Sequence, residues 1–235
     1  MLYKTKNFRG NMITFDAIIS IIKYVYTKIQ STIIKIFGYI KVYPAPMFIV
    51  YDPSYFKMTG DKMREVEEIL KPGDIICRGY DNYLDSYFIA LTSPDRYSHA
   101  GVYIGDNKII HAMQPRVRED DILDFMECDR IVVFRPRKGK TLAIKRAKSF
   151  LAEGTEYDYD FKLGSGKLYC FELAAECYKE LDKTLYQKKA LFGLVKRNLI
   201  LASSFAESKD FTRVFEYNPK QGIYFKKVSS IKSKK

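Results

Sequence analysis

Few residues of this chain can do acid–base or nucleophilic chemistry. Its only two histidines, His99 and His111, stand twelve positions apart in RYSHAGVYIGDNKIIHAM, residues 96–113. Strand alternation puts His99, Gly101 and Tyr103 on one face, with Ala100, Val102 and Ile104 on the other. A two-residue Asp106-Asn107 turn would set His111 opposite Val102, away from His99. A three-residue Gly105-Asp106-Asn107 turn sets it opposite Gly101, on the face of His99. We therefore expect the three-residue turn, with the rings as diagonal neighbours roughly 7–8 Å apart at Cα. Two imidazoles so placed suit a proton relay, in which one serves a nucleophile and the other orients the first.

The nucleophile that fits is Cys170, at the start of YCFELAAECYKELD after a Gly-Ser-Gly loop. A thiol there feels the positive end of the helix dipole, and nearby backbone N–H groups can hold an oxyanion. Positions 170, 174, 177 and 181 share one helical face, which points Cys170 toward whatever the helix packs on. A lone cysteine or histidine is more often a core residue, so the joint arrangement carries the reading. Cys77, Cys128 and Cys177 read as small buried hydrophobes. No metal site is expected, because the chain lacks HxxxH, HExxH and CxxC spacing. GSGK (164–167) fails as a phosphate loop: Phe161 stands where GxxxxGK needs glycine, and Leu168 follows the lysine. No cofactor is implied.

These side chains need a frame. Strands are expected at about 74–77, 99–104, 108–112 and 131–135, and Pro72-Gly73 turns the chain into the first. TLAIKRAKSFLAEG (141–154) reads as a helix that Gly154 stops, and 169–182 as a second. A further strand is expected near 211–217.

Charge divides the chain in three. Residues 1–50 carry seven Lys/Arg and one Asp, and residues 184–235 carry twelve Lys/Arg and three acids. The middle is slightly acidic, with 21 bases and 24 acids. A nucleic-acid-binding core would place its basic stripe on the folded domain, so nucleic acid is not an expected partner, and the basic flanks, residues 1–50 and the C-terminal tail, point instead to an anionic surface such as a membrane. Residues 13–43 are isoleucine-rich but broken by Lys23, Lys28, Lys35 and Lys41, which precludes the ~20-residue apolar run of a spanning helix. Two readings stay open: an interfacial helix on an anionic membrane with snorkelling lysines, or an arm packed on the domain or a second copy. Pro44 and Pro46 close the segment. We divide the chain into an arm (1–50), a catalytic domain (51–220) and a Lys-rich tail (221–235) expected to be disordered. Scattered free cysteines fit a reducing compartment, cytoplasmic and at most peripheral to the inner face of a membrane.

Several elements resemble the permuted papain-like cysteine hydrolases of the NlpC-type superfamily, in particular the YiiX/YebB-like branch. They are PGDIICRG (72–79), YSHAGVYIGDNKIIHA (97–112), YDYDF (157–161), YCFELAAECYKEL (169–181) and SSFAESKDFTRVFEYN (203–218). The resemblance implies an α+β papain-like fold, with a small, mostly antiparallel sheet packed on the helix that carries the nucleophile. It implies Cys170 as nucleophile, His99 as base and His111 as the third, orienting residue, a layout shared with the lecithin retinol acyltransferase group. Phe171 stands where the family has a small serine, which alters the pocket wall, and Glu172 matches the family's CSEL-type glutamate. Tyr97 and Arg78 are further candidate pocket residues. The implied reaction is hydrolysis of an amide or ester acyl bond through an acyl-enzyme, on a cell-wall-type peptide or an acyl lipid. The rival readings are a lipid acyltransferase with the same triad, and a catalytically silent membrane-associated module.

Overall fold

The runs IICRG, HAGVYIG, KIIHAM and RIVVFRP are apolar on both faces or nearly so, and each becomes a strand covered on both sides. The computed structural model describes residues 15–37, 41–44, 47–50, 56–83, 96–181, 188–192 and 195–227. Pro46 and residues 228–235 lie outside the described residues, whereas Ile223–Lys226, within the tail 221–235 that was expected to be disordered, pairs as a strand with Phe215–Asn218.

Seven strands form one sheet, antiparallel at every pairing. They are β3 (Ile75–Gly79), β4 (His99–Gly105), β5 (Lys108–Met113), β6 (Arg116–Asp121), β7 (Arg130–Pro136), β10 (Phe211–Asn218) and β11 (Ile223–Lys226), in the order β11-β10-β7-β3-β4-β5-β6. Two separate hairpins stand outside it: β1 (Lys41–Pro44) with β2 (Met47–Val50), and β8 (Lys188–Phe192) with β9 (Val195–Leu199).

Each face of the sheet carries a core. On one, Ile75, Ala100, Val102, Ile110, Val132 and Phe134 pack against α4 (Lys140–Ala152) and α5 (Cys170–Cys177). On the other, Ile76, Ile109, Ile131 and Val133 meet α2 (Gly60–Ile69) through Val66 and α3 (Ile122–Met126) through Phe125 and Met126. Each such buried Val, Ile, Phe or Met side chain contributes about 1.5–3 kcal/mol, so the fold needs no covalent staples, and all four cysteines are free. The sequence reading lacked β1, β2, β6, β8, β9 and β11 and ran the Cys170 helix beyond its end at Cys177. A sixth helix, α6 (Ala202–Glu207), precedes β10.

The β4–β5 connection corrects one expectation. The turn has two residues, Asp106 and Asn107, both left-handed (φ 49° and 56°), and Gly105 pairs with Lys108. A bulge between Tyr103 and Gly105 supplies the extra residue, and Val102 faces Ile110. The anticipated register therefore survives by another device, and Gly101 lies opposite His111. A methyl group on Gly101 would meet Ile109 Cδ1 at 2.8 Å and His111 Cβ at 3.2 Å, so any larger residue here must displace a neighbour.

Residues Phe15–Phe37 form α1, and no described helix is long and apolar enough to cross a membrane. Lys28 Nζ pairs with the Asp160 carboxylate at 2.6 and 2.7 Å, which ties α1 to the YDYDF loop. Ile18, Ile21, Ile22, Val25 and Ile29 form an exposed stripe along it.

Candidate active site

Adjacent antiparallel strands put the two rings together. His99 Nε2 lies 2.6 Å from His111 Nδ1, and the ring centroids are 4.9 Å apart. His111 Nε2 lies 2.9 Å from Asp120 Oδ2, on β6. Asp120 also accepts from Arg118 Nη2 at 2.6 Å, and these two partners hold its pKa down at about 2. The chain of bonds then assigns the tautomers. Ionised Asp120 can only accept, so His111 Nε2 carries the proton. The longer contact of Arg118 Nε to that nitrogen, at 3.5 Å, is the one that gives way. His111 Nδ1 is then an acceptor, His99 Nε2 donates to it, and His99 Nδ1 is left as an unprotonated base.

Burial fixes the charge state. Desolvation pulls the His99 pKa well below 6.5, and the positive charge of Arg78 adds to it. His111 is lowered by burial too, with Asp120 opposing. Both rings are neutral at pH 7. Phe125 closes the pair on one side, 5.6 Å from His99 and 5.3 Å from His111 between centroids.

Cys170 opens α5, whose first residue follows extended Tyr169. Its Sγ bonds the Ser98 carbonyl at 3.7 Å. Burial raises its pKa to about 11, against which the backbone N–H groups of Ala100, Phe171 and Cys170 pull down. The resting residue is a thiol. It sits in the core that holds Ala100 and Val102, whereas the imidazoles turn to the Phe125 side, and no hydrogen bond joins Sγ to either ring. The structure thus brings His99 and His111 together and brings Cys170 to the backbone on either side of His99, one step short of the ring.

The other candidates divide. Arg78 pairs with His99 across β3 and β4. Tyr97 is buried and donates its hydroxyl to Glu216 Oε1 at 2.9 Å, and Phe171 packs in the core beside Cys170. Glu172 is buried: Oε1 accepts from the Gly164 N–H at 2.9 Å, Oε2 has no partner, and burial lifts its pKa to about 7. It holds the glycine loop that precedes the Cys170 helix. Asp120 and Arg118 were not anticipated. Their signal was the run RVREDD, whose register to β5 puts Arg118 opposite His111 and Asp120 on the same face. Among the described residues no group of three or more His, Cys, Asp or Glu could hold a metal ion.

Comparison with known proteins agrees with this architecture. The family described as permuted papain-like amidase enzyme, YaeF/YiiX, C92 family, matches residues 69–215. No curated protein matches the chain. Among solved structures, metalloprotein yiiX from Escherichia coli O157:H7 superposes with a TM-score of 0.55 at 18% identity. That match covers 63% of this chain and 98% of the other. The matched span takes in the histidine hairpin and the Cys170 helix, and it exceeds half the chain: the protein belongs to the C92 family of permuted papain-like amidases.

Proposed function

We propose that this protein is a cofactor-independent thiol hydrolase that cleaves an amide or ester acyl bond through a Cys170 acyl-enzyme. The observation that supports it most is the His99–His111–Asp120 chain, which leaves His99 Nδ1 as the free base beside the strand residues that the thiol touches. The thiol is at rest, hydrogen-bonded to a carbonyl, and must turn from Ser98 to reach that nitrogen. Catalytic hydrogen bonds often tighten only once substrate is bound. His99 would then take the thiol proton as Sγ forms its bond to the acyl carbon, and the backbone N–H of Cys170 would help hold the oxyanion. His99 would return the proton to the leaving amine or alcohol, then draw one from water as it attacks the thioester. His111 and Asp120 act by position and charge.

The test is covalent. An activated acyl ester should leave one acyl group on Cys170, removable by hydroxylamine, and H99A should abolish it. Acylation spread over several cysteines, or unchanged in H99A, would sink the proposal. A second reading, a catalytically silent interaction module, draws on the missing bond between Sγ and His99, and such random or absent acylation would favour it.

The arm supports a place for this chemistry. The exposed stripe of α1 lies in a segment, residues 1–50, with seven basic residues and one acid. We propose that it lies on an anionic lipid surface, apolar side chains in the acyl boundary and lysines at the headgroups.

A further inference from the structure

Arg78 is a buried cation without an anion. It lies on β3 with its Cα opposite His99, so both side chains leave the sheet on the same face. Only 7% of its surface is exposed. Nη1 donates to the Phe125 carbonyl at 2.9 Å, and the guanidinium sits over the Phe125 and Tyr80 rings at 4.3 and 5.3 Å. Its Nε is buried with no hydrogen-bond partner. Among the described residues no carboxylate pairs with it. The sheet's neighbouring arginines differ: Arg130 pairs with Asp81, and Arg135 pairs with Asp74 at 2.6 Å. Two other acids of the sheet region are already committed. Asp120 holds His111 and Arg118, and Asp129 accepts from the backbone of Lys57 and Asp81.

A buried, unpaired charge is costly, and a guanidinium whose Nε–H is unused can take a carboxylate bidentately along that edge. We infer that Arg78 is the substrate-recognition group of this site and takes a carboxylate carried next to the scissile acyl bond. The inference rests on the proposed hydrolase reading, since it assumes that the acyl group is processed beside His99. It narrows the substrate class from amides and esters in general to acidic, peptide-type amides with a free carboxylate. The same contact would tune the base. The charge of Arg78 depresses both imidazoles, so an anion bound on it would raise the basicity of His99 when substrate arrives.

The experiment follows the imidazole resonances of His99 and His111 in the full-length protein by NMR. Acetate, neutral acetamide and inorganic phosphate are the probes, with R78K and R78M as variants. Acetate should shift the His99 signals in a saturable way and raise the His99 pKa, and acetamide should do neither. R78K keeps the charge but loses the fork, so acetate affinity should fall about tenfold; R78M should lose the response. No response of the wild type to acetate, or equal responses to acetate and acetamide, would overturn the inference even if R78M fails to fold. A response of R78K equal to that of the wild type would overturn it as well. A stronger response to phosphate than to acetate would overturn the carboxylate assignment and favour a phosphate headgroup. None of these readouts uses Cys170, so failure of the nucleophile assignment would show separately, in acylation.

Discussion

Replacing Asp120 with Asn tests the relay at the point where charge and tautomer meet. The carboxyl is held at about 2, against an ordinary 3.8, first by the His111 hydrogen bond and then by Arg118. That depression is worth about 2 kcal/mol in favour of the charged, folded form. Because the folded pKa is depressed, the stabilisation is full above 3.8 and is lost as pH falls through about 2. D120N should therefore lower stability by about 2 kcal/mol at pH 7 and by only about half that near pH 3. Urea unfolding at the two pH values reads the difference. Asn can also donate to His111 Nε2, which would reverse the chain and leave His99 Nδ1 protonated. Asn at the analogous place in a serine-protease triad costs about 10⁴ in rate by fixing the wrong tautomer. A loss of about 10² to 10⁴ in acylation of Cys170 is thus expected, far beyond what the stability change explains. An unchanged acylation rate in a folded D120N protein would refute the tautomer argument. A stability loss that does not shrink between pH 7 and pH 3 would refute the electrostatic one.

Other outcomes follow from the same geometry. G101A should destabilise by about 1–3 kcal/mol through overpacking against Ile109 and His111, measured as a drop in urea midpoint; no drop would mean the hairpin yields freely. Glu172 has a raised folded pKa of about 7 against 4.5, so its ionisation penalises folding increasingly as pH rises between those values. E172Q should accordingly stabilise the protein by up to about 3 kcal/mol at pH 8 and by nothing below pH 4.5; a pH-independent effect would contradict the assignment. The acid limb of the activity profile should lie below pH 6.5, because burial and Arg78 keep His99 neutral down to lower pH; a limb above 6.5 would count against His99 as the base. Anionic phosphatidylserine vesicles should sediment the full-length protein and lose I21D/V25D, whose changes fall on the exposed stripe; equal sedimentation would remove the lipid proposal.

What the sequence made legible is what short-range periodicity encodes. Alternation in 99–104 and 108–112 set which residues of each strand share a face, but the turn had to join the two sets; the Cys170 helix was readable from its glycine loop and apolar face. The turn was misjudged because a bulge and a longer loop give the same register, and only the φ angles of Asp106 and Asn107 separate them. Asp120 escaped because RVREDD has an almost wholly polar pattern, with only Val117 buried along β6, and nothing local marks it as a strand. Glu172 was legible only as a match to the family's CSEL-type glutamate. Its burial comes from the loop folding over it through Gly164, a contact no helical periodicity contains. The position of the Cys170 sulfur beside the Ser98 carbonyl rather than the His99 ring likewise depends on tertiary packing of α5.

The most direct test of the central claim is the rate at which each cysteine is alkylated, resolved by mass spectrometry, in the wild type and in H99A. Burial raises both thiols, and the backbone N–H groups around Cys170 already leave it at about 11 against about 12 for Cys128, so greater reactivity than the other thiols is necessary but does not isolate the base. If His99 Nδ1 takes the thiol proton, H99A slows alkylation at Cys170 and leaves Cys77, Cys128 and Cys177 unchanged. An identical Cys170 rate in a folded H99A protein would show that the histidine pair does not serve this thiol.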